Sequence, residues 1–112
     1  MAGIAGLITK FTQKEVDQLF KLSHRIFHTK QATILAAPRT KEYARLLIIT
    51  SHRSGGAVER NLLRRRLRHI FYQEKLFDLL RFDIIFIAKK PITTLTFAEL
   101  KEVFLTAVKA II

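Results

Sequence analysis

The sequence predicts a small α+β protein, a single-domain α-β sandwich with elements in the order α-β-β-α-β-α. Three observations predict this class: two helix starts with side-chain caps, three short β-branched or aromatic runs, and one long amphipathic segment rich in arginine. The 112 residues are the length of one ordinary domain, so we expect residues 1–112 to form a single domain.

The first helix is predicted near residues 12–23. Thr12 and Glu15 have the spacing of a capping box, in which each side chain accepts a hydrogen bond from a backbone N–H that the helix leaves free. Phe11 and Val16 are placed to form a hydrophobic staple around this cap. Apolar residues then recur at helical spacing, which indicates an amphipathic helix.

Three runs are typical of β-strands. Residues 31–37 and 44–50 are joined by a proline and charged residues at 38–42, which favours a hairpin between them. Residues 82–88 are apolar at nearly every position, as expected for a strand that is covered on both faces. We therefore expect this last run to be central in the sheet.

Two further helices complete the prediction. A loop is expected at 51–56, where paired glycines favour unusual backbone dihedrals, and an amphipathic helix at about 57–80. After a loop at 89–95, Thr96 and Glu99 form a second capping box, and apolar residues follow at helical spacing to the C-terminus.

The charge of the chain indicates a polyanionic partner. The formal net charge is +11 and the pI about 10.6, while 49% of residues are hydrophobic, so the cations belong to a folded body. Nucleic acid is the first candidate and an anionic membrane surface the second. The absence of cysteine excludes disulfides, thiolate metal sites and a cysteine nucleophile. No apolar run approaches the length of a membrane span, and the N-terminus does not resemble a secretory signal, so a cytoplasmic location is expected.

The densest charge lies at residues 53–68, which contain six arginines and one acid. On a helical wheel the arginines occupy one side and leucines a separate arc. Arginine suits RNA because its planar fork binds phosphate oxygens through two hydrogen bonds and stacks on unpaired bases. A solvated basic face is the alternative. The candidate RNA-binding residues are Arg53, Arg60, Asn61, Arg64, Arg65 and Arg68.

Two ordered blocks resemble the bacterial ribonuclease P protein. Residues 51–68 are similar to its Ala-Val-x-Arg-Asn-Arg signature and the basic residues around it, and residues 82–100 are similar to its strand, basic-Pro turn and final helix. Leu62 departs from the pattern, since it replaces the second arginine of the signature, and His69 stands at an often acidic position. The positions that match the signature are Ala57, Val58, Arg60, Asn61, Arg64, Arg65 and Arg68.

The resemblance implies a function and a fold. It implies the accessory subunit of ribonuclease P, an endoribonuclease whose RNA subunit, with Mg²⁺, removes the 5′ leader of precursor tRNA. The partners would be ribonuclease P RNA and precursor tRNA, with no membrane and no obligate protein partner, and no protein side chain would be catalytic or bind metal. The implied fold resembles the ribosomal protein S5 domain 2-like fold and has a left-handed βαβ crossover, against the usual preference.

The leader would lie in a cleft between the sheet and the first helix. Phe20 is the best candidate for that cleft by position, followed by Phe11 and Lys30, with packing in the core or a staple as the alternative for the aromatic rings. Two other classes of protein remain open on composition alone. One is another basic RNA-binding protein of the translation machinery with a similar fold, and the other is a basic DNA-binding or membrane-surface module.

Overall fold

The computed structural model describes residues 2–89 and 95–111 and has the predicted mixed α+β architecture. In chain order its elements are α1 (Ala2–Leu7), α2 (Gln13–Leu22), β1 (His24–His28), β2 (Ala32–Pro38), β3 (Leu46–Ile49), α3 (Ala57–Gln73), α4 (Leu76–Leu79), β4 (Phe82–Ala88) and α5 (Phe97–Lys109). A 3₁₀ turn over His52–Ser54 precedes α3. Most of the expected loop at 89–95 lies outside the described residues.

The four strands form one sheet in the order β1-β2-β4-β3. β1 and β2 are antiparallel, as are β2 and β4, whereas β3 and β4 are parallel. The prediction that β4 is central is confirmed. The predicted hairpin is wrong, because β2 and β3 do not pair and β4 lies between them. β4 is apolar on both faces, so a position between two strands buries it more completely than an edge position would.

One face of the sheet carries the main core. Ile34, Leu46, Ile84 and Phe86 are fully buried on this face. α3, α4 and α5 cover the same face, and their buried residues join one continuous cluster with these strand residues. Phe86 of β4 and Phe104 of α5 meet there with ring centroids 6.0 Å apart. Because α3, α4 and α5 cover this face, α2 packs on the opposite face of the sheet.

The opposite face of the sheet is only partly covered. α2 contributes one buried residue, Leu19, which packs with Ala37 and Ile85. Leu35 and Ile87, farther along the same face, are half-buried. The second face of the sheet is therefore open beyond the end where α2 is docked.

Three elements differ from the predictions. α1 and β1 were not predicted, because α1 is too short for a periodic pattern and β1 has a histidine at each end and an arginine within. The predicted helix at 57–80 is broken at Lys75, whose φ of 54° is left-handed, and α4 begins just after it. The apolar spacing continues across this break, so periodicity alone could not reveal it.

Both predicted capping boxes are present. Thr12 accepts a hydrogen bond from the Glu15 backbone N–H at 3.1 Å, and Glu15 accepts one from the Thr12 N–H at 2.9 Å. Thr96 and Glu99 make the same two contacts at 3.2 and 2.9 Å. Four orphan N–H groups are thereby satisfied, which defines the starts of α2 and α5.

These caps predict loss of stability in acid. The backbone N–H of Thr12 lowers the pKa of Glu15 below its ordinary 4.5, and that of Thr96 does the same for Glu99. A carboxylate whose pKa is lowered by folding contributes stability above its ordinary pKa and loses it as the pH falls through the folded-state pKa. We expect the melting temperature to fall as the pH is lowered below 4.5, the ordinary pKa of both carboxyls.

A Glu15→Gln, Glu99→Gln double variant should show a smaller fall over the same range. Asp83, whose pKa is raised by burial, acts in the opposite direction and is present in both proteins. The difference between the two proteins therefore reports the two glutamates, including the contact of Glu15 with Arg45, and equal acid sensitivity of the two proteins would contradict this account.

Candidate nucleic-acid interface

The start of α3 is fixed to the ends of two strands. Ser54 is fully buried, and its hydroxyl donates to the carbonyl of Ala88 at the end of β4. The same hydroxyl oxygen accepts the backbone N–H of Ser51, just after β3. Gly55 has a φ of 122°, a conformation open to glycine, and Gly56 is the N-cap of α3. The arginine-rich helix therefore begins at a defined point beside β3 and β4.

α3 separates apolar and basic side chains onto different sides. Leu63, Leu67, Ile70 and Phe71 are buried in the main core. The remaining sides carry a basic surface, here called the arginine face, formed by Arg60, Asn61, Arg64, Arg65 and Arg68. All of its residues are exposed except Arg60, which is half-buried, and Arg53 is exposed in the preceding turn. The predicted division of this helix is confirmed.

The arginine face has no carboxylate partners within residues 2–89 and 95–111. The ion pairs found there involve Lys41, Arg45 and Lys101, none of which lies on α3. Arg64 donates to the Thr50 hydroxyl at 2.6 Å, a neutral contact that leaves its charge uncompensated. Guanidinium groups in this state are available to an external anion.

Shallow grooves flank the arginine face. Arg64 and Arg68 line a groove along the edge strand β3, together with residues 46–48 of that strand. On the other side Arg65, Arg68 and Tyr72 line a hollow that also includes Ala5 of α1. Arg68 therefore lies between the two grooves, and α1 borders the basic surface.

Two departures from the family signature have different surroundings. Leu62 is half-buried, and the neighbouring Arg66 donates to the carbonyl of Leu95, near the start of α5, at 3.5 Å. Arg66 is thus directed toward the start of α5. His69 is exposed, and its ring lies 6.0 Å from that of Phe97.

A second surface is formed by the open face of the sheet beside α2. Its floor, here called the sheet floor, is aliphatic and half-buried. Phe20 of α2 is adjacent in sequence to the buried Leu19 and is 40% exposed. An aliphatic surface that is only partly covered suits unpaired bases better than it suits a duplex backbone. The residues of the sheet floor are Leu35, Leu47, Ile49 and Ile87.

Cations lie at one end of the sheet floor, a feature that the sequence did not predict. Lys89 Nζ lies 3.2 Å from Nδ1 of His28. Nδ1 of His28 also lies 2.9 Å from the Thr33 hydroxyl. The charge of Lys89 lowers the pKa of His28, and burial and the charge of Arg25 lower it further. This lowering favours the neutral form of the His28 ring. Register shows that Arg25 and His28 share the face of the sheet floor, because they pair with Leu35 and Thr33.

The three candidates for a leader cleft do not form one cluster. The ring of Phe11 packs against the guanidinium of Arg45, 4.3 Å from its centroid, near the start of β3. Lys30 is exposed in the turn between β1 and β2. The two lie near opposite ends of β2, whose seven residues span about 20 Å at the usual rise of a strand. Phe20, on α2, is the exposed member of the two aromatic candidates.

Within the described part of the chain, no group of three or more histidines or acids is placed to bind a metal ion. No helix in those residues is long and apolar enough to cross a membrane.

The family model for ribonuclease P matches residues 11–111. The ribonuclease P protein component of Petrotoga mobilis is 37% identical over 60 residues, which cover 54% of this chain and 51% of that protein. The component of Streptococcus pneumoniae is 29% identical over 97 residues, which cover 87% of this chain and 78% of that protein.

The solved structure of the Staphylococcus aureus RNase P protein has the same fold. It matches this chain with a TM-score of 0.78 at 24% sequence identity, and the match covers 92% of this chain and 94% of the other. This likeness concerns the fold.

Proposed function

This chain belongs to the ribonuclease P protein family, and from this premise we propose that it is the protein subunit of ribonuclease P. In this proposal the arginine face and Arg53 bind the RNA subunit, and the open face of the sheet binds the 5′ leader of precursor tRNA. The single observation that carries the proposal is the arginine face, whose exposed guanidinium groups have no carboxylate partner in the described residues.

Structured RNA is the anion that fits the arginine face best. Its five cationic or amide side chains lie on one helix, which is about 25 Å long at the usual rise per residue. Phosphate groups along a folded RNA strand can meet several of them at once and release counterions on binding. Arginine also stacks on unpaired bases, which lysine does not do.

The leader is proposed to cross the sheet floor. Its bases would contact half-buried aliphatic side chains and the ring of Phe20, while Lys89, Arg25 and Lys30 would attract its phosphates. The four residues of the sheet floor are aliphatic, so stacking would depend on Phe20 of α2 and on Phe11, which packs against the same cluster. We therefore expect apolar contact and charge, without base-specific hydrogen bonds, to provide most of the leader affinity.

Cleavage is assigned to the RNA subunit and its Mg²⁺ ions. The protein would raise the affinity for substrate and lower the concentration of Mg²⁺ that the RNA needs, because its cations offset part of the phosphate repulsion. The same proposal places the protein in the bacterial cytoplasm, where tRNA precursors are made.

The proposal is tested by reconstitution. The purified protein, a bacterial ribonuclease P RNA and a precursor tRNA are mixed at low Mg²⁺, and release of the leader is measured. We expect the protein to stimulate cleavage by the RNA and to cleave nothing when the RNA is omitted. Failure to stimulate, together with tight binding to ribosomal RNA, would instead favour another RNA-binding protein of the translation machinery.

The contribution of α2 is tested by Phe20→Ala. Stacking of one base on an aromatic side chain contributes about 1 kcal/mol or more, so we expect the holoenzyme to bind a precursor with a long leader about fivefold more weakly. Binding of a tRNA without a leader should not change. Leu79→Ala is the matched control, because Leu79 is another exposed apolar residue and lies on α4. Equal effects of the two substitutions would contradict a contact between Phe20 and the leader.

A further inference from the structure

Arg45, just before β3, is a buried cation that belongs neither to the arginine face nor to the cations beside the sheet floor. Its residue is 3% exposed, and its backbone N–H donates to Oδ1 of Asp83 at 2.8 Å. Its Nη2 lies 3.6 Å from Oδ2 of the same carboxylate, which is itself buried. Burial raises the pKa of Asp83, and the contacts with Arg45 oppose that rise. One side of Arg45 is therefore fixed to the start of β4.

The other side of Arg45 contacts the segment in which α2 begins. Its Nη1 donates to Oε2 of Glu15 at 2.9 Å and to the carbonyl of Lys10 at 3.1 Å. The central carbon of the guanidinium lies over the ring of Phe11. Nη2 also lies 3.4 Å from the Thr40 hydroxyl, in the connection between β2 and β3. Arg45 thus joins residues 10–15 to the sheet.

Apolar packing alone would leave α2 weakly oriented. Leu19 is its one buried residue, and a small cavity remains beneath the helix, lined by Leu19, Leu22, Ala37 and Pro38 with Arg45 and Asp83 at its polar side. A single apolar contact allows a helix to pivot, whereas hydrogen bonds to a guanidinium have defined directions. The contact with Arg45 supplies a second fixed point, at the N-terminal end of the helix.

We propose that Arg45 is a positioning residue, which holds α2 at a set angle over the sheet and thereby shapes the cleft for the leader. This inference rests on the proposed function, since the cleft is the proposed leader site. Glu15 is the link: one of its oxygens caps α2 through the Thr12 N–H and the other accepts from Arg45. The start of the helix and its attachment to the sheet are therefore fixed by one carboxylate.

Glu15→Gln tests the link, and Glu99→Gln is the matched control. Each glutamate completes a capping box through one oxygen, and glutamine can do the same. Glutamine has one oxygen, however, so at position 15 it cannot serve both the cap and Arg45. At position 99 the second oxygen makes no hydrogen bond within the described residues, and the substitution removes nothing comparable.

The measurement is the affinity of the reconstituted holoenzyme for precursor tRNA with a long leader and for the same tRNA with a one-nucleotide leader. We expect Glu15→Gln to reduce the preference for the long leader about fivefold, the lower end of coupling between two sites. Affinity for the RNA subunit should not change. Glu99→Gln should behave as the wild type does. An Arg45→Met, Asp83→Asn variant, which leaves no unpaired buried charge, should lose the preference to at least the same extent.

The outcomes separate the two proposals. A wild-type holoenzyme that shows no preference for the long leader would contradict the proposed leader site itself. A wild-type preference that Glu15→Gln leaves intact would contradict the role of Arg45 alone. Equal losses of leader preference and RNA-subunit affinity would also overturn it, because they would indicate general loss of structure instead of altered positioning.

Discussion

Replacing Arg64, Arg65 and Arg68 together by alanine is expected to weaken binding to the RNA subunit about a hundredfold at 0.15 M salt. Each phosphate contact contributes about 0.7 to 0.9 to the slope of log K against log salt, so three contacts should lower the slope by about 2 to 3. These three side chains are exposed on α3. Their removal should therefore leave the melting temperature unchanged or raise it slightly, since self-repulsion decreases.

The control must remove the same charge elsewhere. Lys14, Arg81 and Lys109 are exposed and lie outside the arginine face, and their replacement by alanine also lowers the net charge from +11 to +8. Affinity and its salt slope are measured for both triple variants over a series of salt concentrations. If both variants lose affinity and slope equally, net charge alone would explain the binding and the arginine face would not be a specific interface.

The arginine face was predictable because its signal is local. Helical spacing places Arg60, Arg64 and Arg68 on one side of α3 whatever the rest of the chain does, and the leucines between them identify the buried side. The same holds for the two capping boxes, each contained within four residues. Helix faces and capping boxes depend on residues three or four positions apart, so the sequence alone predicts them.

Strand pairing was less predictable because it depends on distant residues. β2 and β3 were found as strands, and their short connection favoured a hairpin, but β4 competes for the edges of both and pairs with each. β2 instead forms its hairpin with β1, whose histidines and arginine gave no alternating apolar signal. An edge strand needs few apolar residues, so composition does not distinguish it from a loop.

The buried polar contacts, like strand pairing, depend on residues that are distant in sequence. Arg45 lies in a run typical of a strand, and a sequence cannot show that its partners are at positions 10, 15 and 83. The pairing of His28 with Lys89 joins residues 61 positions apart. Buried polar contacts of this kind are specified by the three-dimensional fold, and the residues that make them have no common spacing in the chain.

Leu67→Ala is expected to lower the free energy of unfolding by about 2 to 5 kcal/mol, the range for a buried leucine replaced by alanine. Leu67 is fully buried and lies in α3 between the arginines. A loss of this size is a large part of the roughly 5 to 15 kcal/mol that stabilises a typical domain. Urea denaturation measures it, with Leu79→Ala as a control at an exposed leucine.

The same variant separates the two sides of α3. Leu67 does not reach the basic surface, so protein that remains folded should bind the RNA subunit with wild-type affinity and an unchanged salt slope. The arginine triple variant should show the reverse pattern, with weakened binding and retained stability. A folded Leu67→Ala protein with a reduced salt slope would contradict this division, because it would mean that the guanidinium groups depend on the core packing beneath them as much as on their own exposure.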